Sequence, residues 1–569
     1  MTIGLSAQIR RITLSSMTQL IHGPEVLVGG VRFSVWAPNA WRLAFRVGGS
    51  DHPAAREAGG WHTVLVPGAK AGDRYSVVLP DGRALPDPGS RRQPDGVHGP
   101  SQVWDPRSYS WRSAFAGLPL EELIFYELHV GTFTKEGTLD AAAARLDDLA
   151  ELGVTCVELL PVQPFPGQHN WGYEGVALRA VHEEYGGPDA LQRFVDRAHA
   201  ARLAVCLDVV YNHFGPEGNY LSAFAPYLTD RHRSPWGAGV NYDSDGSDAV
   251  RAYATQAALS WVRDFRADAL RLDAVHTIAD DSPRHIVGAI CDAVAAYATE
   301  SGRRVHVVAE SDLEDRKVVD PPPKGWGCSA MWADDFHHAL HTLLTGEKGA
   351  FYVDFGEMRQ LARALAEGFV FQGEAASFRN KPWGTDTKGL APARFVFCAQ
   401  NHDQVGNRPT GERLSALVPF EALFAVSTVV VLGSGLPLLF MGEEYGESAP
   451  FLYFTSHGDP ALAKAVTEGR KAEFIAEAAD VPDPQDEATF RRSLLTHRRD
   501  GRHGELRAHY RDLLGVRRRH AKTIGSRWPS VATEGRAVTL RWPGLEVAVN
   551  LGKEPAGGLP AWGWCVKED

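Results

Sequence analysis

Cysteine is scarce: six residues in 569, far apart and with no Cys-x-x-Cys. Several of these cysteines stand in apolar, strand-like runs, where cysteine behaves as a small buried hydrophobe, so all six read as free thiols. No apolar run approaches the roughly 18–20 residues of a membrane helix, so the chain is not expected to span a membrane. Residues 1–11 lack the uninterrupted apolar stretch and small-residue cleavage site of a signal peptide, and together these absences favour the cytoplasm. Basic residues form no stripe, and the net charge is −11, which argues against nucleic acid and for a neutral substrate. No internal repeat stands out. What is plentiful is aromatic surface, with 15 Trp and 15 Tyr; such rings stack on sugars, although their number alone decides nothing.

At 569 residues the chain exceeds what one core usually organises. Residues 31–36 and 43–47 alternate in short strand-like runs punctuated by Pro-Asn and Gly-Gly pairs, which reads as a small β-sandwich. Residues 80–106 are rich in Pro and Gly and read as a linker wrapping onto the next unit. From about residue 123 strands alternate with helices. Eight strand candidates follow, at 123–128, 154–160, 203–210, 269–272, 305–309, 330–333, 394–399 and 436–441, with helical stretches such as 139–152 and 189–201 between them. Eight continuous apolar strands with intervening helices describe a (β/α)₈ TIM barrel, an α/β fold. A doubly wound open sheet is the alternative, weakened because no Gly-x-Gly-x-x-Gly follows the first strand. The charged stretch 490–520 reads as helical, and strands at 537–542 and 546–551 suggest a small C-terminal β domain. The expected division is 1–115, 116–522 and 523–569.

Three acids end three of these strands: Asp273 in Ala-Leu-Arg-Leu-Asp-Ala-Val-His, Glu310 in Val-His-Val-Val-Ala-Glu-Ser-Asp and Asp403 in Ala-Gln-Asn-His-Asp-Gln. In a barrel they converge at the C-terminal face, where a pair of carboxyl groups can cleave a glycosidic bond. Asp273 is assigned as nucleophile, because Arg271 two residues earlier points to the same side and can hold it ionised. Glu310 ends the next strand after an apolar run, where burial favours the protonated form of a general acid. Asp403 is left to grip ring hydroxyls and stabilise the transition state. Any one acid at a strand end is more often a turn former or salt-bridge partner; the joint occurrence changes the odds. Asp208 and His213 end the third strand, and His402 precedes Asp403, all where barrel strands meet substrate.

On these residues the chain resembles the α-amylase superfamily of glycoside hydrolases (family 13), whose four short regions match Asp208-Val-Val-Tyr-Asn-His213, Arg271-Leu-Asp-Ala-Val-His276, Ala309-Glu-Ser-Asp312 and Gln400-Asn-His-Asp403. The resemblance implies the same three roles for Asp273, Glu310 and Asp403, and makes Tyr173, in Asn-Trp-Gly-Tyr-Glu-Gly, the ring that stacks on the sugar whose bond is cut. Within the superfamily, the stretches 164–176, 235–243, 332–338, 400–408, 441–446 and 468–474 resemble the maltooligosyltrehalose trehalohydrolases, from about residue 31 to the C-terminus. That likeness implies hydrolysis of the α-1,4 bond beside the terminal trehalose of maltooligosyl trehalose and functional pairing with a maltooligosyltrehalose synthase; no cofactor and a monomer are expected. It also fits an N-terminal domain like a carbohydrate-binding module. Asp312, Trp332, Asp334, Asp335, His337, His338 and Gln404 are added as expected substrate contacts.

His276 lacks the preceding Lys of many amylases, so leaving-group contacts must differ. The segment between the third strand and Ala249 is short, leaving little room for a calcium-holding domain, and no metal is expected. His337 and His341, at i, i+4 spacing, would suit a metal, but no general-base Glu lies between them. A 1,4-α-glucan branching enzyme is the rival reading, differing only in the acceptor of the glycosyl intermediate. A catalytically dead glucan-binding protein is a third, made improbable by the presence of all three acids.

Overall fold

The computed structural model describes residues 20–234, 236–474 and 481–568. The stretch 1–11 read for a leader, and Pro235 in the 235–243 run, lie outside the described residues.

Eight parallel strands close into a barrel: β1 (Phe125–Leu128), β2 (Cys156–Leu159), β3 (Ala204–Val209), β4 (Ala269–Leu272), β5 (His306–Ala309), β6 (Ala330–Trp332), β7 (Phe395–Cys398) and β8 (Leu436–Phe440). Every one begins and ends within two residues of its expected position, because a strand buried on both faces is read directly from an apolar run. The pleat divides each run in two. Phe125, Cys156, Ala204, Cys206, Ala269, Val308, Ala330 and Val396 form one buried cluster inside the barrel, closed from below by Phe115, Leu118 and Leu120. Their neighbours, such as Tyr126, Val157, Leu207 and Leu270, belong to the larger outer core under the helices. Toward the C-terminal strand ends the inward residue becomes charged. Register pairs Glu127 with Glu158 and Asp208 with Arg271, so a polar layer caps the apolar plug and floors the site.

The outer helices include α1 (Leu146–Leu152), α2 (Gly187–Ala200), α3 (Ser247–Asp264), α4 (Ile286–Ser301), α5 (Asp334–Thr345), α6 (Met358–Glu367), α7 (Phe420–Val431) and α8 (Gly501–Ser526). Two expectations need correction. The helix over 139–152 is two pieces, Leu139–Ala143 and α1, and between β5 and β6 stands only the 3₁₀ turn Arg316–Val318. Between β3 and α3 the described chain forms one turn of helix, Leu221–Phe224, and the antiparallel hairpin Leu228–Ser234 with Gly237–Val240.

At the N-terminal end, two antiparallel sheets of four and five strands pack through Val31, Phe33, Phe45, Tyr75 and Val77. The stretch 80–106 is more than a linker: Ala84–Leu85 and Ser101–Gln102 join the second sheet by pairing with Arg74–Val78. It also docks onto the barrel, where Trp104 stacks on Phe265 at 5.2 Å and donates to Asp189 at 2.7 Å. The C-terminal strands Ser530–Glu534, Ala537–Trp542, Leu545–Asn550 and Trp564–Glu568 form one antiparallel sheet in sequence order.

Arg517 of α8 ties this end to the barrel. Wholly buried, it donates to the carbonyls of Gly433 (2.6 Å) and Gly435 (2.7 Å) in the turn entering β8, and burial pulls its pKa down to about 9. Arg517→Met leaves those carbonyls unpaired, an expected loss of about 2–4 kcal/mol, measured as a lower urea midpoint.

Candidate active site

The parallel register sets Leu272 beside Ala309, so the next residues, Asp273 and Glu310, leave adjacent strands side by side, about 4.8 Å apart along the hydrogen-bonding direction. One guanidinium then joins them. Arg271 Nη1 lies 2.9 Å from Asp273 Oδ1 and 2.8 Å from Asp208 Oδ2, while Nη2 lies 2.8 Å from Glu310 Oε2. The two terminal nitrogens of one guanidinium thus bring both carboxylates to a single group. Burial disfavours the Arg271 charge, but Asp208, Glu310 and Asp273 outweigh it and hold the group protonated. The Trp332 ring lies 4.3 Å below the guanidinium.

Asp273 also accepts from Asn212 Nδ2 at 2.8 Å. Ala274, immediately after it, takes a left-handed conformation (φ 39°, ψ 48°) that an alanine adopts only under constraint. That turn aims its N–H at Glu310 Oε2, 2.7 Å away. Glu310 is therefore not in the apolar pocket that its strand suggested: one oxygen is held by a guanidinium and an amide. Asp403 stands in the first turn of the short helix His402–Gly406, about one-third exposed, and accepts from Asn407 Nδ2 at 3.2 Å.

Behind the acids runs a buried chain. His402 meets Glu127 of β1 through both its ring (Nδ1–Oε1 2.6 Å) and its backbone N–H (2.9 Å). Its Nε2 lies 2.7 Å from the Tyr173 hydroxyl, which donates to Asp208 Oδ2 at 2.5 Å. Burial alone would strip the His402 proton, but Glu127 first, then Asp403, raise it to about 9. Burial likewise lifts Asp208 to about 7 against the pull of Arg271. A histidine whose folded pKa lies near 9 and whose unfolded value is 6.5 contributes full stability below about pH 6.5 and loses it as pH rises through about 9. The melting temperature is expected to fall over that alkaline window. In His402→Gln that part of the fall should vanish; an unchanged pH profile would contradict the assignment.

The other expected contacts separate into two groups. Asp334, Asp312 and His276 belong with the acids: burial and then Glu310, Asp312 and Asp403 push the Asp334 carboxyl well up, and His276 Nδ1 accepts from the Asp312 N–H at 3.3 Å. Asp312 pairs with Arg379, whose guanidinium lies 4.3 Å over Trp383. Gln404 meets Tyr352 at the rim, and His213 holds the Tyr173 carbonyl at 2.9 Å and stacks on half-exposed Trp236 at 4.1 Å.

Trp332 and Asp335 are corrected. Trp332 is buried beneath Arg271, a support and not a sugar contact. Asp335 has no exposed surface and accepts from the Val370 and Phe371 amides, because one step along α5 turns it about 100° away from Asp334. His337 is likewise buried, its Nδ1 3.1 Å from that of His338, which stacks on Phe351. His341 is engaged by Glu347 at 2.8 Å. Among the described residues, His232, Asp243 and Asp281 bring possible metal-ligating atoms within 4.8 Å, but Arg231 already pairs with both carboxylates.

Glu127, Asn212 and Glu158 were missed. Glu158 is buried with neither oxygen hydrogen-bonded among the described residues, and burial followed by Glu127 raises it to about 8. A lone acid inside a four-residue apolar strand was the available signal for both glutamates.

Residues 101–234 match the model of the alpha amylase catalytic domain. The crystal structure of a Salmonella typhimurium protein assigned to the alpha amylases has a TM-score of 0.88 and 41% identity, covering 93% of each chain. A 1,4-alpha-glucan branching enzyme of Xanthomonas campestris is 32% identical over 43% of this chain and 37% of that protein. A malto-oligosyltrehalose trehalohydrolase of Rhizobium sp. is 44% identical over 95% of this chain and 94% of that protein. With an alignment at that identity spanning 95% of the chain, the chain belongs to the malto-oligosyltrehalose trehalohydrolase family of the α-amylase superfamily.

Proposed function

We propose that this protein is a retaining glycosidase that hydrolyses the α-1,4 bond next to the terminal trehalose of maltooligosyl trehalose, releasing trehalose. The observation that carries the chemistry is the Arg271 guanidinium shared by Asp273 and Glu310. The substrate class rests on the family.

Asp273, oriented by Arg271 and Asn212, attacks C1 of the sugar on the non-reducing side of the bond. Glu310 donates a proton to the glycosidic oxygen through the carboxyl edge not engaged by the Ala274 amide, the bond breaks, and trehalose departs. Asp403 holds ring hydroxyls while positive charge develops at C1. Tyr173, fixed by His402 and Asp208, forms the floor on which the ring lies. Glu310, now a base, takes a proton from water, which releases the maltooligosaccharide from Asp273 with its α configuration restored. Asp334, Asp312, His276 and Gln404 are proposed as further sugar contacts.

Chemistry of this kind needs no metal or cofactor. A maltooligosyltrehalose synthase is the reaction that supplies the substrate, and a monomer in the cytoplasm completes the reading; no helix of the described residues is long and apolar enough to cross a membrane. The test is chromatography of products from trehalose-terminated maltopentaose and plain maltopentaose in parallel, with amylose as a third arm. Free trehalose from the first, with far slower cleavage of the second, is expected. New α-1,6 branches on amylose would make it a branching enzyme instead.

A further inference from the structure

Outside the barrel interior, two thiols face each other. Cys291 lies on α4 and Cys328 in the segment entering β6, with their sulfurs 3.6 Å apart. Cys328 has no exposed surface and Cys291 keeps 6% of its own. We propose that Cys291 and Cys328 are a redox site, a resting dithiol that hydrogen peroxide converts to a disulfide between α4 and the approach to β6.

Three features carry this. First, the surroundings hold both sulfurs in place: Arg284 donates to the carbonyls of Gly288 on α4 (2.9 Å) and of Gly325 (2.8 Å) and Trp326 (3.0 Å) on the Cys328 side. The Cys328 amide is anchored to Val318 O at 3.0 Å. Two sulfurs already in contact need to close by only about 1.5 Å to reach bonding distance. Second, the thiols differ in access: Cys291 keeps 6% of its surface and Cys328 none, so peroxide reaches Cys291 first. Third, the Arg284 guanidinium lies near both sulfurs, and at Cys328 it opposes the upward push of the hydrogen bond and burial.

The steps balance with one peroxide. The Cys291 thiolate attacks a peroxide oxygen, the O–O bond breaks, and the departing hydroxide takes a proton to leave as water, giving a sulfenic acid. The Cys328 sulfur then attacks the Cys291 sulfur, and the hydroxyl leaves as a second water with the Cys328 proton. Two thiols are oxidised by two electrons, and the peroxide is reduced. The bridge joins residues 37 apart in sequence, and the loop it closes contains β5 and Glu310. Closing such a loop restricts the unfolded chain and stabilises the fold.

The test exposes the intact protein to hydrogen peroxide, blocks remaining thiols after denaturation, and maps peptides by mass spectrometry. The expected result is loss of two of the six thiols, a Cys291–Cys328 linked peptide about 2 Da lighter than the sum of its reduced parts, reversal by dithiothreitol, and a melting temperature raised by a few degrees. Cys291→Ser should abolish the linkage, whereas Cys565→Ser, at the partly exposed cysteine, should leave it intact. Six thiols retained, or Cys291 carried to sulfinic acid without a linked peptide, would overturn the proposal. The peptide map of the unmutated protein decides the matter even if a serine variant does not fold.

Discussion

Asp273→Asn is expected to lower kcat on a trehalose-terminated maltooligosaccharide by about 10⁴-fold or more while the protein stays folded. An amide of the same shape cannot form the glycosyl ester, and nothing else in the floor can take its place: Asp208 is held by Arg271 and Tyr173, and Asp403 lies on another strand end. Glu310→Gln is expected to cost a similar factor with an ether-like leaving group, but for a different reason, and the two can be told apart. A glucosyl fluoride needs no proton on its leaving atom, so Glu310→Gln should recover most of its first step with that substrate and accept azide in place of activated water. Asp273→Asn should recover neither. If both variants responded alike to fluoride and azide, the division of roles between the two acids would be wrong.

The second large effect belongs to Arg271. It touches Asp208, Asp273 and Glu310 at 2.8–2.9 Å with no exposure to solvent. Lysine keeps the charge but offers one point in place of a fork, so it cannot hold the nucleophile and the acid together. Arg271→Lys is expected to lower kcat by about 10²–10³-fold with a smaller change in KM. Arg271→Met removes the charge altogether and leaves three acids crowded without a partner, a loss of about 3–5 kcal/mol in stability. Steady-state kinetics and urea unfolding measure the two consequences separately. A lysine variant within tenfold of the parent would mean that the acids are positioned by their strands alone.

The eight strands and the convergence of Asp273, Glu310 and Arg271 were legible because each follows from short-range rules. An apolar run bounded by turn residues is a buried strand, and two residues apart on a strand is the same side. What was not legible depends on long-range partners. The short connection from β5 to β6 carries a 3₁₀ turn where a helix was expected, since the loop spends its residues on Asp312, Glu314 and the Arg316–Asp320 pair. Trp332 is an expected substrate contact because it opens the 332–338 stretch that resembles the trehalohydrolases. Its place under Arg271 follows from the inward parity of β6, which only the barrel's register fixes. Asp334 and Asp335 are equivalent in sequence and differ by one helical step, enough to send one to the acids and the other to the 370–371 amides. Glu127 escaped notice because its partner His402 lies 275 residues away.

The measurement that bears most directly on the whole account is time-resolved proton NMR of trehalose-terminated maltopentaose during hydrolysis. Trehalose has no reducing end, so every new reducing-end signal reports the maltooligosaccharide released from Asp273. The expected record is free trehalose and a maltooligosaccharide that first appears as the α anomer, before mutarotation. A β anomer appearing first would contradict the covalent step through Asp273, and cleavage without free trehalose would contradict the proposed substrate.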